Sequence, residues 1–155
     1  MAGKEVKPYT PGQARTARRV MRILTRLTVW AYRASKGRVG GKFLHGAPVC
    51  LLTMTGRKSG RRLSVPLIYT PHGDDVLFGA SQGGLDQHPI WYLNLLADPN
   101  VEIQVGATIR QMVARQASDE EKTALWPVLV GVYPDFDEYQ RRTERNIPVM
   151  ICSPR

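Results

Sequence analysis

Cysteine and histidine are scarce in this chain of 155 residues, which has two cysteines and three histidines. Cys50 and Cys152 are about a hundred residues apart, and no C-x-x-C or H-x-x-x-H pair occurs. These spacings exclude the common zinc sites, and we expect no bound metal. Both cysteines lie in apolar, strand-like runs, so we expect two buried free thiols in a reducing cytoplasm rather than a disulfide.

Long apolar runs and familiar catalytic signatures are also missing. No stretch reaches the roughly 20 apolar residues that are needed to span a bilayer. Lys4, Lys7 and Arg15 precede no uninterrupted apolar segment, so the start of the sequence does not resemble a signal peptide. The motifs G-x-S-x-G and G-x-x-x-x-G-K do not occur, which argues against a serine triad and a Walker loop. The length and the hydrophobic content of 43% suit one soluble globular domain.

Acidic residues are nearly absent from the first 42 positions, which we call the basic arm. The basic arm contains eleven Lys and Arg residues and only Glu5, whereas the remaining 113 residues contain eleven basic and twelve acidic residues. The net charge of +9 therefore belongs to the arm and not to the whole chain. General affinity for nucleic acid does not follow from this distribution, and we expect no nucleic-acid partner.

Residues 13–36 of the basic arm are predicted to form an amphipathic helix. Arginines recur on one face, and apolar side chains, with Trp30 at the border, occupy the other. Most such helices lie on the surface of a globular domain, so we expect the apolar face to pack on its own domain. The alternative is peripheral contact with an anionic membrane, because a basic amphipathic helix suits that surface.

Short strand-like runs dominate the rest of the chain, and turns rather than long crossover helices connect them. Turns are predicted at residues 71–74 and 106–107, and a helix at 89–97. A second helix begins after Ser118, where Ser118 and Glu121 form a capping box. This order predicts an α+β protein with a mostly antiparallel sheet or small barrel. The predicted strands are residues 49–54, 63–69, 75–80, 101–105, 108–116 and 147–152.

Residues 55–62, which we call the cationic turn, read T-G-R-K-S-G-R-R. They combine two glycines, two hydroxyls and four cations between two predicted strands. Glycine permits a tight connection that brings backbone N–H groups close to a ligand, and arginine can grip an oxyanion through two parallel hydrogen bonds. We therefore expect the cationic turn to bind a phosphate or a carboxylate.

Two further polar segments lie near the predicted strand ends. The run G-A-S-Q-G-G at 79–84 offers backbone N–H groups and the Ser81 hydroxyl to a flat ligand. The run H-P-I-W-Y-L-N at 88–94 places Trp91 and Asn94 three residues apart, on one face of a helix. Together with the cationic turn, these segments suggest a ligand with a planar head and an anionic tail.

The combined motifs resemble the deazaflavin-dependent nitroreductase family of actinobacteria. The matching segments are T-G-R-K-S-G at 55–60, V-P-L at 65–67, A-S-Q-G-G at 80–84, P-I-W-Y-L-N-L at 89–95, D-P at 98–99 and W-P…Y-P at 126–134. The resemblance implies a split β-barrel of the flavin-reductase type and the deazaflavin coenzyme F420. It also implies hydride transfer from the reduced coenzyme to a quinone, a nitroaromatic or another electron-poor organic acceptor. On this basis the chain divides into the basic arm, residues 1–42, and a coenzyme-binding barrel, residues 43–155.

The same resemblance implies roles for individual residues. The cationic turn would hold the phosphate and the oligoglutamate tail of the coenzyme. The hydroxyls of Ser81 and Tyr133 would stabilise the charge that develops on the acceptor's oxygens, as the catalytic residues. The implied coenzyme-binding residues are Arg57, Lys58, Ser59, Arg61, Arg62, Leu63, Ser64, Val65, Pro66, Leu67, Ala80, Ser81, Gln82, Ile90, Trp91, Tyr92 and Asn94.

Three positions depart from the family's pattern. Leu63 stands where an Arg is common, Gln82 where a Lys is common, and Phe136 where a second pocket Tyr can occur. The loss of two cations weakens the contact with the tail, although Arg61 and Arg62 are available to compensate. Two alternatives therefore stay open. One is a non-catalytic protein that stores the coenzyme or an apolar ligand, and the other is a relative that uses FMN or haem on the same barrel.

Overall fold

The computed structural model describes residues 10–155, which form one antiparallel sheet and four α-helices. The helices are α1 Pro11–Ser35, α2 Ile90–Ala97, α3 Asp119–Val132 and α4 Asp135–Arg142. The strands are β1 Val49–Thr55, β2 Arg62–Ile68, β3 Thr70–His72, β4 Asp75–Gly79, β5 Asn100–Val105, β6 Thr108–Gln116 and β7 Val149–Pro154. Short 3-10 turns occur at Leu44–Gly46 and Gln82–Gly84.

All neighbouring strands are antiparallel, in the order β2-β1-β5-β6-β7-β4-β3. The α+β fold with an antiparallel sheet is thereby confirmed. The turn predicted at residues 71–74 is wrong in its first half, because Thr70–His72 pairs with β4 and the chain reverses at Gly73, where φ is +61°. Pro71 is tolerated there because β3 is an edge strand, which leaves one side without ladder hydrogen bonds.

The core has two apolar layers, which lie on opposite faces of β4 and β7. The first layer receives alternate residues of the strands and the buried side of α2; it includes Cys50, Leu52, Met54, Phe78, Ile103, Met112, Trp91 and Tyr92. The second layer packs α3 and α4 against the sheet; it includes Leu77, Val149, Ile151, Leu129, Tyr133 and Phe136. Because both of their faces are covered, β4 and β7 have continuous apolar sequences instead of alternating ones.

The two cysteines are buried and free, as predicted. Burial raises the pKa of the Cys152 thiol to about 12, and it raises the pKa of the Cys50 thiol as well. Both thiols therefore stay protonated at neutral pH and are packing groups of the core.

The start of α3 has the predicted capping box. The Glu121 amide donates to the Ser118 hydroxyl at 3.2 Å, and the Ser118 amide donates to the Glu121 carboxylate at 3.2 Å. Arg115 at the end of β6 donates two hydrogen bonds to the same carboxylate, at 2.9 and 2.8 Å. The helix therefore begins where β6 and the capping box meet.

Helix α1 is amphipathic, as predicted, but its apolar face does not pack on the domain. Trp30 is 73% exposed and Leu27 is 62% exposed, and Val20, Ile23 and Leu24 are exposed as well. The expectation that this face is buried was wrong, because helical periodicity decides which residues share a face but not which face meets the domain. Among residues 10–155, no helix combines the length and the apolar character that would be needed to cross a membrane.

The arginine-rich face of α1 instead borders two cavities between the helix and the rest of the chain. One, of about 470 Å³, lies between the first half of α1 and residues 85–87. The other, of about 790 Å³, lies between the second half of α1 and strands β1 and β2. The charged side of the helix thus faces grooves of its own domain.

Tyr32 fastens the end of α1 to the hairpin between β5 and β6. Its side chain is 1% exposed, and its hydroxyl accepts a hydrogen bond from the Gly106 amide at 2.8 Å. The same hydroxyl donates to the Gln104 carbonyl at 3.3 Å. Gly37 follows with φ of +83°, and a Cβ at that position would lie 2.8 Å from the Cα of Gly106. Close backbone contact and one buried hydroxyl therefore set where α1 leaves the sheet.

Replacement of the anchoring hydroxyl tests this attachment. Tyr32→Phe leaves the Gly106 N–H without its partner, so we expect the free energy of unfolding to fall by about 1–3 kcal/mol. Trp30→Phe on the exposed face of the same helix is the control, with an expected change within about 0.5 kcal/mol. Urea denaturation of both variants measures the difference. Equal losses in the two variants would contradict the anchoring role.

Candidate functional site

The cationic turn connects β1 to β2 as a tight hairpin. The pairing of β1 with β2 continues to Thr55 opposite Arg62. The Gly56 amide donates to the Arg61 carbonyl and the Gly60 amide to the Gly56 carbonyl, both at 2.8 Å. A Cβ on Gly56 would lie 2.6 Å from the Ser59 hydroxyl oxygen, so a larger residue here would have to displace the Ser59 side chain. The turn is therefore built before any ligand arrives.

The side chains of the turn are directed to solvent and form no close ion pairs, although Arg62 interacts electrostatically with the Asp98 carboxylate over a longer distance. Arg57, Lys58, Ser59, Arg61 and Arg62 are all exposed. Within residues 10–155, none of the four cations lies within ion-pair distance of a carboxylate. Because no internal ion pair must be broken, an incoming phosphate or carboxylate can use the full hydrogen-bonding capacity of the cluster.

Asn94 supports the turn from behind and does not line an open surface. It is 2% exposed, and its Oδ1 accepts a hydrogen bond from the Arg57 amide at 3.0 Å. Helix α2 thus holds the backbone of the turn at the residue that carries its first cation.

The other α2 residues of the implied site differ sharply in exposure. Trp91 is buried, with its ring edge-on to Phe78 at a centroid distance of 5.9 Å. Tyr92 is buried too, and its hydroxyl donates to the Gln116 side chain at 2.7 Å. Ile90, in contrast, is exposed. Of these residues, only Ile90 presents a large surface to a ligand, while the two aromatic rings serve the core.

The loop after β4 is held in shape by Arg145, which sequence reasoning missed. The Arg145 guanidinium donates to the Ser81 carbonyl at 2.7 Å and to the Leu85 carbonyl at 2.8 Å, and it lies 3.3 Å from His88 Nδ1. Burial lowers the pKa of His88, and the adjacent Arg145 charge lowers it further, so the ring is neutral at pH 7. No pattern in the sequence connects an arginine with a loop some sixty positions earlier.

The backbone of this loop is strained at Gln82, next to Ser81. Ala80 and Ser81 are buried, and Gln82 has φ of +47°, a left-handed conformation that is unusual for a residue with a side chain. The Gln82 Oε1 atom is buried and has no hydrogen-bond partner among the described residues. A buried acceptor without a partner is costly unless a ligand supplies the donor.

Tyr133 lies in an aromatic cluster of the second core layer. It is 1% exposed, and its hydroxyl is 2.8 Å from the hydroxyl of Tyr139. Burial raises the pKa of Tyr133, and the hydrogen bond with Tyr139 raises it further, so the hydroxyl stays protonated. The neighbouring Phe136 ring would lie 3.1 Å from a Cβ on Gly79, which places the cluster against the end of β4. Tyr139 is a second residue that the sequence did not identify.

Strand β2 provides an edge of the site. Val65, Pro66 and Leu67 are partly buried, and two of them pack on the first core layer. The Ser64 hydroxyl is 2.7 Å from the Thr53 hydroxyl and accepts a hydrogen bond from Arg33 Nη2 at 2.6 Å. Arg33 of α1 therefore contacts β2, whose residues the resemblance implies to be part of the coenzyme site.

The cavity of about 790 Å³ is where α1 meets the implied site, and we call it the helix groove. From the strands it is lined by Thr53, Arg62, Leu63 and Ser64. From α1 it is lined by Thr25, Arg26, Val29, Trp30, Arg33 and Ala34.

Within residues 10–155, no cluster of three His, Cys, Asp or Glu side chains suitable for a metal ion occurs.

Comparison with known proteins gives the family. The model of the F420H(2)-dependent quinone reductase family matches residues 24–154. The Mycobacterium tuberculosis protein Rv3178 is 42% identical over 118 residues, which cover 76% of this chain and 99% of that protein. The F420H(2)-dependent quinone reductase Rv1261c of the same species is 36% identical over 135 residues, which cover 85% of this chain and 91% of that protein.

A solved structure agrees with both sequence comparisons. The F420-H2 dependent reductase FDR-A is 39% identical, with a TM-score of 0.64, and the match covers 68% of this chain and 94% of that one. The antiparallel sheet of this chain is thus the split β-barrel that its motifs implied. The chain belongs to the F420H(2)-dependent quinone reductase family, a family of oxidoreductases that use coenzyme F420.

Proposed function

We propose that this protein transfers a hydride from reduced F420 to a quinone, or to a similarly electron-poor acceptor such as a nitroaromatic compound. The observation that carries the proposal is the cationic turn, a preformed hairpin with four cations that form no close ion pair with any described carboxylate. A coenzyme with a planar head and a tail of phosphate and carboxylates matches that arrangement in charge and in shape.

The residues present fit such a coenzyme. Gln82 Oε1 is a buried acceptor without a partner, which suits an N–H donor on a bound heterocycle. Arg57, Lys58, Ser59, Arg61 and Arg62 would hold the anionic tail. Leu63, Ser64, Val65, Pro66, Leu67, Ala80, Ser81, Gln82 and Ile90 would line the ring and the ribityl chain, with Trp91, Tyr92 and Asn94 supporting them from within.

The protein's part in the reaction is positioning and hydrogen bonding. When bound, the reduced coenzyme supplies the hydride, and the chain orients the acceptor and excludes water. The Ser81 hydroxyl would donate to the acceptor's oxygens and stabilise the charge that develops there. Tyr133, the second catalytic residue implied by the resemblance, is 1% exposed and its hydroxyl is bonded to Tyr139, so we assign it a supporting role behind the site. Phe136 beside them has no hydrogen to donate.

A turnover assay tests the activity. Purified protein is mixed with reduced F420 and menadione, and oxidation of the coenzyme is followed by its absorbance. We expect turnover with F420 and none with NADPH plus FMN. F420 binding without turnover would support the storage alternative instead, and turnover only with FMN would overturn the choice of coenzyme.

Charge reversal in the cationic turn tests the tail site. Two charge-assisted hydrogen bonds are worth about 1.5–3 kcal/mol each, so Arg57→Glu with Lys58→Glu should raise the Kd for F420 well over tenfold. Arg110→Glu with Arg155→Glu changes the net charge equally at β6 and the C-terminal end of the chain, and serves as the control. Fluorescence titration gives both constants. Similar losses in the two double variants would show that net charge, and not the turn, binds the coenzyme.

We also propose that α1 places the enzyme at the inner, cytoplasmic surface of an anionic membrane. The apolar face is exposed along several turns, and the basic arm carries eleven cations against one carboxylate. An interface between lipid chains and anionic headgroups satisfies both properties at once. Contact with a membrane would also bring the site close to lipid-soluble quinones.

Sedimentation with liposomes tests the membrane contact. We expect the chain to sediment with vesicles that contain anionic lipid and to lose at least tenfold in apparent affinity when Leu27 and Trp30 are both replaced by Ser. Vesicles of neutral lipid are the control for charge. Unchanged sedimentation of the variant with the vesicles would overturn this proposal. So would a dimer in analytical ultracentrifugation that dissociates in the same variant, because a second copy would then cover the apolar face.

A further inference from the structure

The helix groove continues the cationic turn onto α1. Arg62 is the last residue of the turn and also lines the groove, where Arg26 and Arg33 lie on the opposite wall. Among the described residues, none of the three guanidinium groups lies within ion-pair distance of a carboxylate. One groove is therefore lined by cations from two separate elements of the fold, none of them in a close ion pair.

Arg33 is fixed within this groove. Its Nη2 donates to the Ser64 hydroxyl at 2.6 Å, and Ser64 is bonded in turn to Thr53. The adjacent Tyr32 holds the helix backbone on the hairpin between β5 and β6. A guanidinium has five N–H donors, and the bond to Ser64 uses only one, so the others remain for a ligand.

Leu63 is the apolar residue in the β2 wall of the groove. This position faces the groove and carries no charge, although the resemblance of the sequence implies a cation there. Arg33 binds the side chain of the next residue, Ser64, and thus brings a cation to the same stretch of β2 from another element. Arg33 of α1 thus supplies a positive charge beside β2, where Leu63 carries none.

The spacing of the helix cations indicates the shape of the ligand. Arg26 and Arg33 are seven residues apart, which is two helical turns, or about 10 Å along the axis. An extended chain with several carboxylates can contact both arginines along this length. Two hydroxyls and the apolar Trp30 and Leu63 complete the walls.

We propose that α1 covers the distal part of the F420 tail and that Arg26 and Arg33 bind its terminal carboxylates. This inference rests on the proposed function, since it concerns the tail of the same coenzyme. It assigns to the arm a binding role in addition to the proposed membrane contact. The helix then completes the site that the cationic turn begins.

The experiment compares two ligands, intact F420 and a deazaflavin fragment that lacks the phosphate and the oligoglutamate. In the full-length chain, Arg26→Ala with Arg33→Ala should raise the Kd for F420 at least tenfold and leave that of the fragment within twofold. The salt dependence of F420 binding should weaken in the same variant, because fewer charged contacts are formed. Arg33→Lys should recover part of the affinity, since it retains the charge.

The control variant removes two charges outside the groove. Arg38→Ala with Lys42→Ala should leave both constants within twofold of the parent chain. If the α1 variant raises the Kd of F420 and of the fragment equally, the helix has shifted as a whole. If the Kd of F420 is unchanged, the arginines do not reach the tail. Either result overturns the proposal. Absence of F420 binding by the parent chain would instead overturn the proposed function.

Discussion

The antiparallel register of β1 and β2 is the constraint on which the site depends. Pairing of Thr55 with Arg62 leaves six residues to reverse the chain, and a side chain at Gly56 would displace that of Ser59. The same register puts Ser64 opposite Thr53, where the two hydroxyls bond to each other and the Ser64 hydroxyl also accepts a hydrogen bond from Arg33. One pair of strands thus presents the cations at its tip and a polar wall along its edge. A change in register by one residue would exchange the two faces and destroy both features.

Cations are concentrated in the cationic turn and along the helix groove. Arg–carboxylate pairs such as Arg115 with Glu121 are few among the described residues, and none of them involves these cations. The Asp98 carboxylate interacts with Arg62 only over a longer distance. Repulsion among the cations costs folding free energy, which a bound polyanion would recover. That imbalance is the physical reason to assign a tail of phosphate and carboxylates to this region rather than a neutral ligand.

Helix α1 has two faces that meet different surroundings. Its arginines border grooves of the domain, whereas its apolar residues are exposed. Most surface helices have the opposite orientation, with the apolar side against the core. Tyr32 and the close contact between Gly37 and Gly106 hold the helix at its C-terminal end, so the orientation does not depend on burial of the apolar face. A helix held in this way can contact a ligand on one side and a lipid surface on the other.

The sequence by itself determined the local features of this protein. Glycine spacing and periodicity predicted the cationic turn, the strands, α1 and the capping box of α3, because these depend on neighbours within a few residues. Its motifs also indicated the family and therefore the coenzyme. Only the tertiary structure decided that Trp91 and Tyr92 are buried, that Asn94 supports Arg57, that Arg145 holds the Ser81 loop, and that Arg33 reaches Ser64. Each of these contacts joins residues more than thirty positions apart or depends on which face of an element meets its neighbour, and no local pattern encodes that choice.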